Sequence, residues 1–76
     1  MKAVYVEWVD AVTGEGWIDK DDAIGECPII KSIGFVVGES KTAITITHSV
    51  DDEHDNVSGH IRIPKAWIKR RKKIET

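Results

Sequence analysis

The sequence predicts a mainly β domain: a small antiparallel barrel of four to five strands with one short helix after the first strand. Three observations predict it. Apolar residues recur at a period of two in several short runs, glycine-rich or polar breaks separate those runs, and 41% of the 76 residues are hydrophobic. A chain of this length buries only about 60% of its unfolded surface, so it makes one domain, 1–76, with an efficiently filled core.

Val4, Val6 and Trp8 alternate with Tyr5, Glu7 and Val9, as in a strand with one buried face. Thr13-Gly14-Glu15-Gly16 breaks that strand. Asp19 can cap a short helix, Asp21 and Asp22 suit the positive end of its dipole, and Gly25 can end it. One or two such turns are too short to hold without packing on the sheet.

Pro28 opens the next apolar run, Ile29 to Val37, in which Gly34 suggests a bend or bulge. Gly38-Glu39-Ser40-Lys41 reads as a hairpin turn. Thr42 to His48 follows with Ile44 and Ile46 on one face and Thr45 and Thr47 on the other. The polar segment Asp51 to Asn56 reads as a solvated loop. A fourth strand then places Val57, Gly59, Ile61 and Ile63 on one face, and Pro64, which has no N–H for a ladder, ends it.

Lys65-Ala66-Trp67-Ile68 suits one tight helical turn, and Lys69 to Ile74 would return as a short charged strand. A basic C-terminal helix over Lys65 to Ile74 is the competing expectation. Four curved strands, a one-turn helix and a fifth strand match an SH3-like or Sm-like barrel, whose closure removes exposed edges. The expected core is Val4, Val6, Trp8, Ile33, Phe35, Val37, Ile44, Ile46, Ile61 and Ile63.

Charge is sharply divided. Residues 61–76 carry seven cations against one acid, a net +6, whereas residues 1–60 carry four lysines against twelve acids, a net −8. Such polarity points to electrostatic recognition of a partner or of another copy of the chain. The candidate contact residues are Lys69, Arg70, Arg71, Lys72 and Lys73, in a basic edge strand or tail over 69–76, with Trp67 beside them.

Catalytic signatures are thin. His48, Asp51, Asp52, Glu53, His54, Asp55 and His60 gather acids and imidazoles within thirteen residues. Their spacing matches no zinc or calcium pattern, and a solvated loop accounts for them. His48 and His60 could face each other across neighbouring strands and respond to pH, although two separate surface histidines are the simpler expectation. Gly14-Glu15-Gly16 lacks the rest of any phosphate-binding loop, and no serine sits in a nucleophile elbow. No enzyme, cofactor or metal is expected. The lone Cys27 excludes an internal disulfide and suggests packing as a small apolar residue. The chain shows no membrane-spanning run and no signal-peptide pattern, so a cytoplasmic protein is expected.

The segments Val6-Glu7-Trp8-Val9-Asp10, Gly16-Trp17, Ser32-Ile33-Gly34-Phe35-Val36-Val37 and Ile61-Arg62-Ile63-Pro64-Lys65-Ala66-Trp67-Ile68 resemble a group of small uncharacterised proteins from tailed phages and prophages. The resemblance implies a phage protein of the bacterial host cytoplasm, non-catalytic, that binds and modulates a host protein. The opposed charge patches favour head-to-tail self-association into an oligomer. An acidic, Trp-bearing surface could occupy a host protein's basic groove. Two alternatives are a nucleic-acid-binding barrel that uses the basic segment and an oligomer that captures a small anionic ligand such as a nucleotide.

Overall fold

The computed structural model describes residues 1–75 and contains β1 (Ala3–Val9), α1 (Lys20–Ala23), β2 (Ile29–Glu39), β3 (Ala43–Asp51), β4 (Asn56–Pro64) and β5 (Ile68–Ile74). A single 3-10 turn, Lys65–Trp67, joins β4 to β5. The strands form one antiparallel sheet in the order β4-β3-β2-β1-β5. The mainly β class, the short helix after the first strand and a strand rather than a helix at the C-terminal end all match expectation.

The sheet curls without closing. β1 pairs with the first half of β2, Ala3 opposite Phe35 through Val9 opposite Ile29, whereas β3 pairs only with the second half, Phe35 opposite Thr47 through Glu39 opposite Ile44. The bend between the halves falls at Gly34. A Cβ there would lie 2.8 Å from the Thr47 carbonyl oxygen and 3.2 Å from the Ile46 Cβ, so a side chain would block the approach of β3. A register shift between Val36 and Gly38 adds to the bend.

The concave face of the curl holds Val4, Val6 and Trp8 of β1 against Ile44 and Ile46 of β3 and Ile63 of β4, with Ile30, Val36 and Ile68 packed beside them. Burial of these side chains is the main favourable contribution to the fold. The Trp8 indole N–H donates to Ser32 Oγ at 3.1 Å, which satisfies its one polar group.

Several expectations are corrected. The closed barrel is an open sheet with β4 and β5 at its two ends. The β3–β4 ladder continues to Asp51 opposite Asn56 after β2 has turned away, so the hairpin projects beyond the body and β4 does not come alongside β5. Ile33, Phe35 and Val37 are not core: Ile30, Ser32, Gly34 and Val36 share the face of Val4, Val6 and Trp8, and Ile33 is 66% exposed. The concave side of β2 must admit Trp8 and the β3 backbone, which small Ser32 and Gly34 allow and bulky side chains would not. Ile61 shares the face of Ile63 but lies where the hairpin begins to project, and it is exposed.

Residues 51–56 are exposed, as expected of the solvated connection between β3 and β4, but the connection is shorter, a tight turn over residues 52–55. Asp51 and Asn56 already pair, and Asp55 takes a positive φ of 54°. α1 buries no residue and lies away from the sheet, held by Asp22 and Ala23 N–H groups donating to the Asp19 carbonyl; its N-cap carboxylate makes no capping bond. Cys27 is exposed, not packed, because it lies in the same outlying segment.

Candidate functional site: the basic edge strand

β5 is a strand because its ends are apolar, Ile68 and Ile74, and because β1 offers an unpaired edge. The pairing runs Ala3 opposite Ile74, Val4 opposite Lys73, Tyr5 opposite Lys72, Val6 opposite Arg71 and Glu7 opposite Arg70, then shifts so that Trp8 meets Ile68. Lys69 is the extra residue of that bulge. Strand alternation therefore divides the five consecutive cations. Arg71 and Lys73 share the concave face of Val4 and Val6, while Arg70 and Lys72 share the opposite face with Glu7 and Tyr5.

Their electrostatic surroundings differ as much as their directions. Arg71 donates from Nη1 and Nη2 to Glu39 Oε1 and Oε2 at 2.7 and 3.0 Å, a bidentate pair. Lys65 Nζ lies 3.3 Å from the same Glu39 Oε1. Hydrogen bonding to Arg71 first, and to Lys65 second, lowers the Glu39 carboxyl pKa to about 2. The same pairing raises the Arg71 guanidinium above its ordinary value. Arg70 approaches Glu7 Oε2 at 3.8 Å, and that oxygen also accepts the Tyr5 hydroxyl at 2.9 Å. Lys69, Lys72 and Lys73 have no carboxylate within ion-pair distance among the described residues.

β5 also has only one neighbouring strand, so its outer edge presents backbone N–H and C=O groups without strand partners. At its start, Trp67 and Ile68 join Val9, Ala11, Cys27 and Lys69 around an open, mostly apolar groove of about 460 Å³. Trp67 is thus a groove wall beside the cations.

The histidines do not assemble. His60 pairs with Thr47, while His48 lies over Gly59, whose φ of 70° and missing side chain make room for the imidazole. His48 and His60 therefore point to opposite faces of the hairpin. His48 Nδ1 contacts Ser49 Oγ at 2.7 Å, and His54 Nδ1 contacts Asp51 Oδ2 at 2.9 Å. Among the described residues, no three His, Cys, Asp or Glu side chains converge as a metal site would require, and no helix is long and apolar enough to cross a membrane.

Two features escaped the sequence. Glu39 reads there as a turn residue, yet it ties β5 across the mouth of the curl. Residues 10–28 form an outlying arm on which Val12, Trp17, Ile18 and Ile24 are exposed, Trp17 completely. A weak signal for the arm exists: its apolar residues follow neither strand nor helix period and sit among acids.

Comparisons of the chain with protein-family models, with curated proteins and with solved structures find no match.

Proposed function

We propose that the protein is a non-catalytic binding protein of phage origin that acts in the host cytoplasm by engaging an acidic segment of a host protein along β5. The observation that carries this reading is an unpaired sheet edge bearing three cations, Lys69, Lys72 and Lys73, that have no ion-pair partner among the described residues. An extended acidic segment can add to such an edge through main-chain hydrogen bonds, while the cations choose its charge. The same cations repel a second β5, so the edge discriminates as well as attracts.

The alternation of β5 favours a protein over a nucleic acid. Its cations point to both faces of a strand and Arg71 is committed to Glu39, so they do not form one continuous stripe along which a phosphate backbone could run.

The test is affinity purification from bacterial lysate with and without nuclease, using the wild type and a Lys69→Ala/Lys72→Ala/Lys73→Ala variant. A host protein that survives nuclease and is lost with the variant supports the proposal. Material released only by nuclease makes β5 a nucleic-acid site instead. A partner retained equally by the variant removes β5 from the interface.

A further inference from the structure

The chain exposes more surface than a compact protein of its size. Its accessible area is 6375 Å², against about 4,700 Å² for a folded monomer of 8.5 kDa. Its radius of gyration is 15.6 Å, against roughly 11 Å for 76 compact residues. The excess of about 1,700 Å² is twice the ~800 Å² that each partner contributes to a standard stable interface. Much of it lies on the projecting β3–β4 hairpin and on the arm over residues 10–28.

The arm is the more telling of the two. A backbone bond from Asp10 N–H to the Pro28 carbonyl oxygen, 3.0 Å, closes its base, so it leaves and rejoins the sheet at one point. Beyond that base Val12 is 67% exposed, Ile18 64%, Ile24 79%, and the Trp17 indole touches nothing that shields it. Large apolar side chains gathered on one projection of a small protein mark a contact surface. Six acids and one lysine give the arm a net −5.

The chain also carries a receptor of matching character. The groove of about 460 Å³ beside the arm's base is walled by Val9, Ala11, Trp67 and Ile68, and its lining carries one acid, Asp10, and one cation, Lys69. β5 runs on from it with five cations and no acid over Ile68–Ile74, a net +5. The arm's large apolar residues, Val12, Trp17, Ile18 and Ile24, are exposed and do not line it.

We propose that the occupant is a second copy of this chain: two protomers exchange arms, each placing Trp17 and Ile18 in the other's groove. Opposite charges then meet at both contacts, Glu15, Asp19, Asp21, Asp22 and Glu26 of the outer arm against Lys69 beside the groove. Because the same two protomers give and receive reciprocally, the exchange is isologous and closes as a twofold dimer. The outer part of β5, with Lys72 and Lys73, is left for a host partner, so self-association is separate from the function proposed above.

Light scattering after size exclusion tests this at about 100 µM protein, a concentration at which typical weak dimers populate. The wild type is expected at twice the 8.5 kDa chain mass, and Trp17→Ala/Ile18→Ser at the monomer mass with its circular dichroism unchanged. Ala66→Asp, which puts a charge in the groove, is expected to give a monomer as well. Mixing the two variants separates arm-in-groove exchange from arm-against-arm packing. One intact arm and one intact groove remain, so a heterodimer should reappear, dissociating more readily than the wild type. A monomeric wild type, a dimeric Trp17→Ala/Ile18→Ser variant or a mixture that stays monomeric would each overturn the proposal.

Discussion

Arg71 on the last strand grips Glu39 at the end of the second through two hydrogen bonds of 2.7 and 3.0 Å, and this pair spans the mouth of the curled sheet. A closed barrel would pair β5 with β4 through a backbone ladder, which this sheet lacks. Here side chains make the link, with Lys65 of the connecting turn as a third member. The bidentate fork sets the relative position of β2 and β5 more firmly than a single lysine would.

The pH dependence of folding follows from that pair. The Glu39 carboxyl titrates near 2 when folded, below its ordinary value of about 4.3. Its contribution is therefore fully present above the unfolded pKa and is lost as pH falls through the folded value. Glu39→Gln should lower the Tm by a few degrees at pH 7. The difference from wild type should narrow between about pH 4.5 and pH 2. Thermal melts of both proteins across that window check it, and a constant difference would show that the charge of Glu39 is not what holds the mouth.

Gly34→Ala should be costly although it adds one methyl group. The new Cβ would lie 2.8 Å from the backbone oxygen of Thr47, which cannot move without shifting β3. Forced overpacking of this kind costs about 1–3 kcal/mol. Gly25→Ala, where a Cβ meets open space, is the control and should melt close to wild type. Denaturant titration of the two variants measures the contrast.

Which face of the sheet holds the core is equally testable. Ile44→Ala removes a fully buried side chain and should cost about 2–5 kcal/mol. Ile33→Ser, on the opposite face, should change stability by no more than about 0.5 kcal/mol. Chemical denaturation of each variant decides between the two faces, because a core Ile33 would make the serine variant one of the least stable.

Residues whose local pattern agrees with their environment were legible in the sequence. Val4, Val6 and Trp8 alternate, and Ile44 and Ile46 alternate, and both sets are buried. Pro64 and the basic run likewise announced the end of β4 and a charged last strand. β2 was misread because alternation fixes a period and not a phase. Its side chains are apolar on both faces, and the core face is the one with Ser32 and Gly34, chosen by the bulk of Trp8 opposite. Lack of closure was not legible either, since it depends on how far the β3–β4 ladder runs on beyond Phe35, where β2 turns away. At the site, composition gave five equal cations, whereas register and Glu39 make Arg71 structural and leave Lys69, Lys72 and Lys73 available.

That division makes the last prediction. Arg71→Ala breaks the bidentate pair and leaves Glu39 with Lys65 alone, so its principal effect should be a lower Tm. Lys72→Ala and Lys73→Ala break no ion pair among the described residues and should change stability by no more than about 0.5 kcal/mol. Their effect should fall on binding to an acidic peptide, measured by titration at low and at physiological salt. Exposed charges act mainly on association, so each lysine lost should weaken binding several-fold at low salt and less at 0.15 M, where the Debye length is about 8 Å. An Arg71→Ala protein as stable as wild type, with binding lost to the same degree as in the lysine variants, would place all five cations in one undivided contact surface.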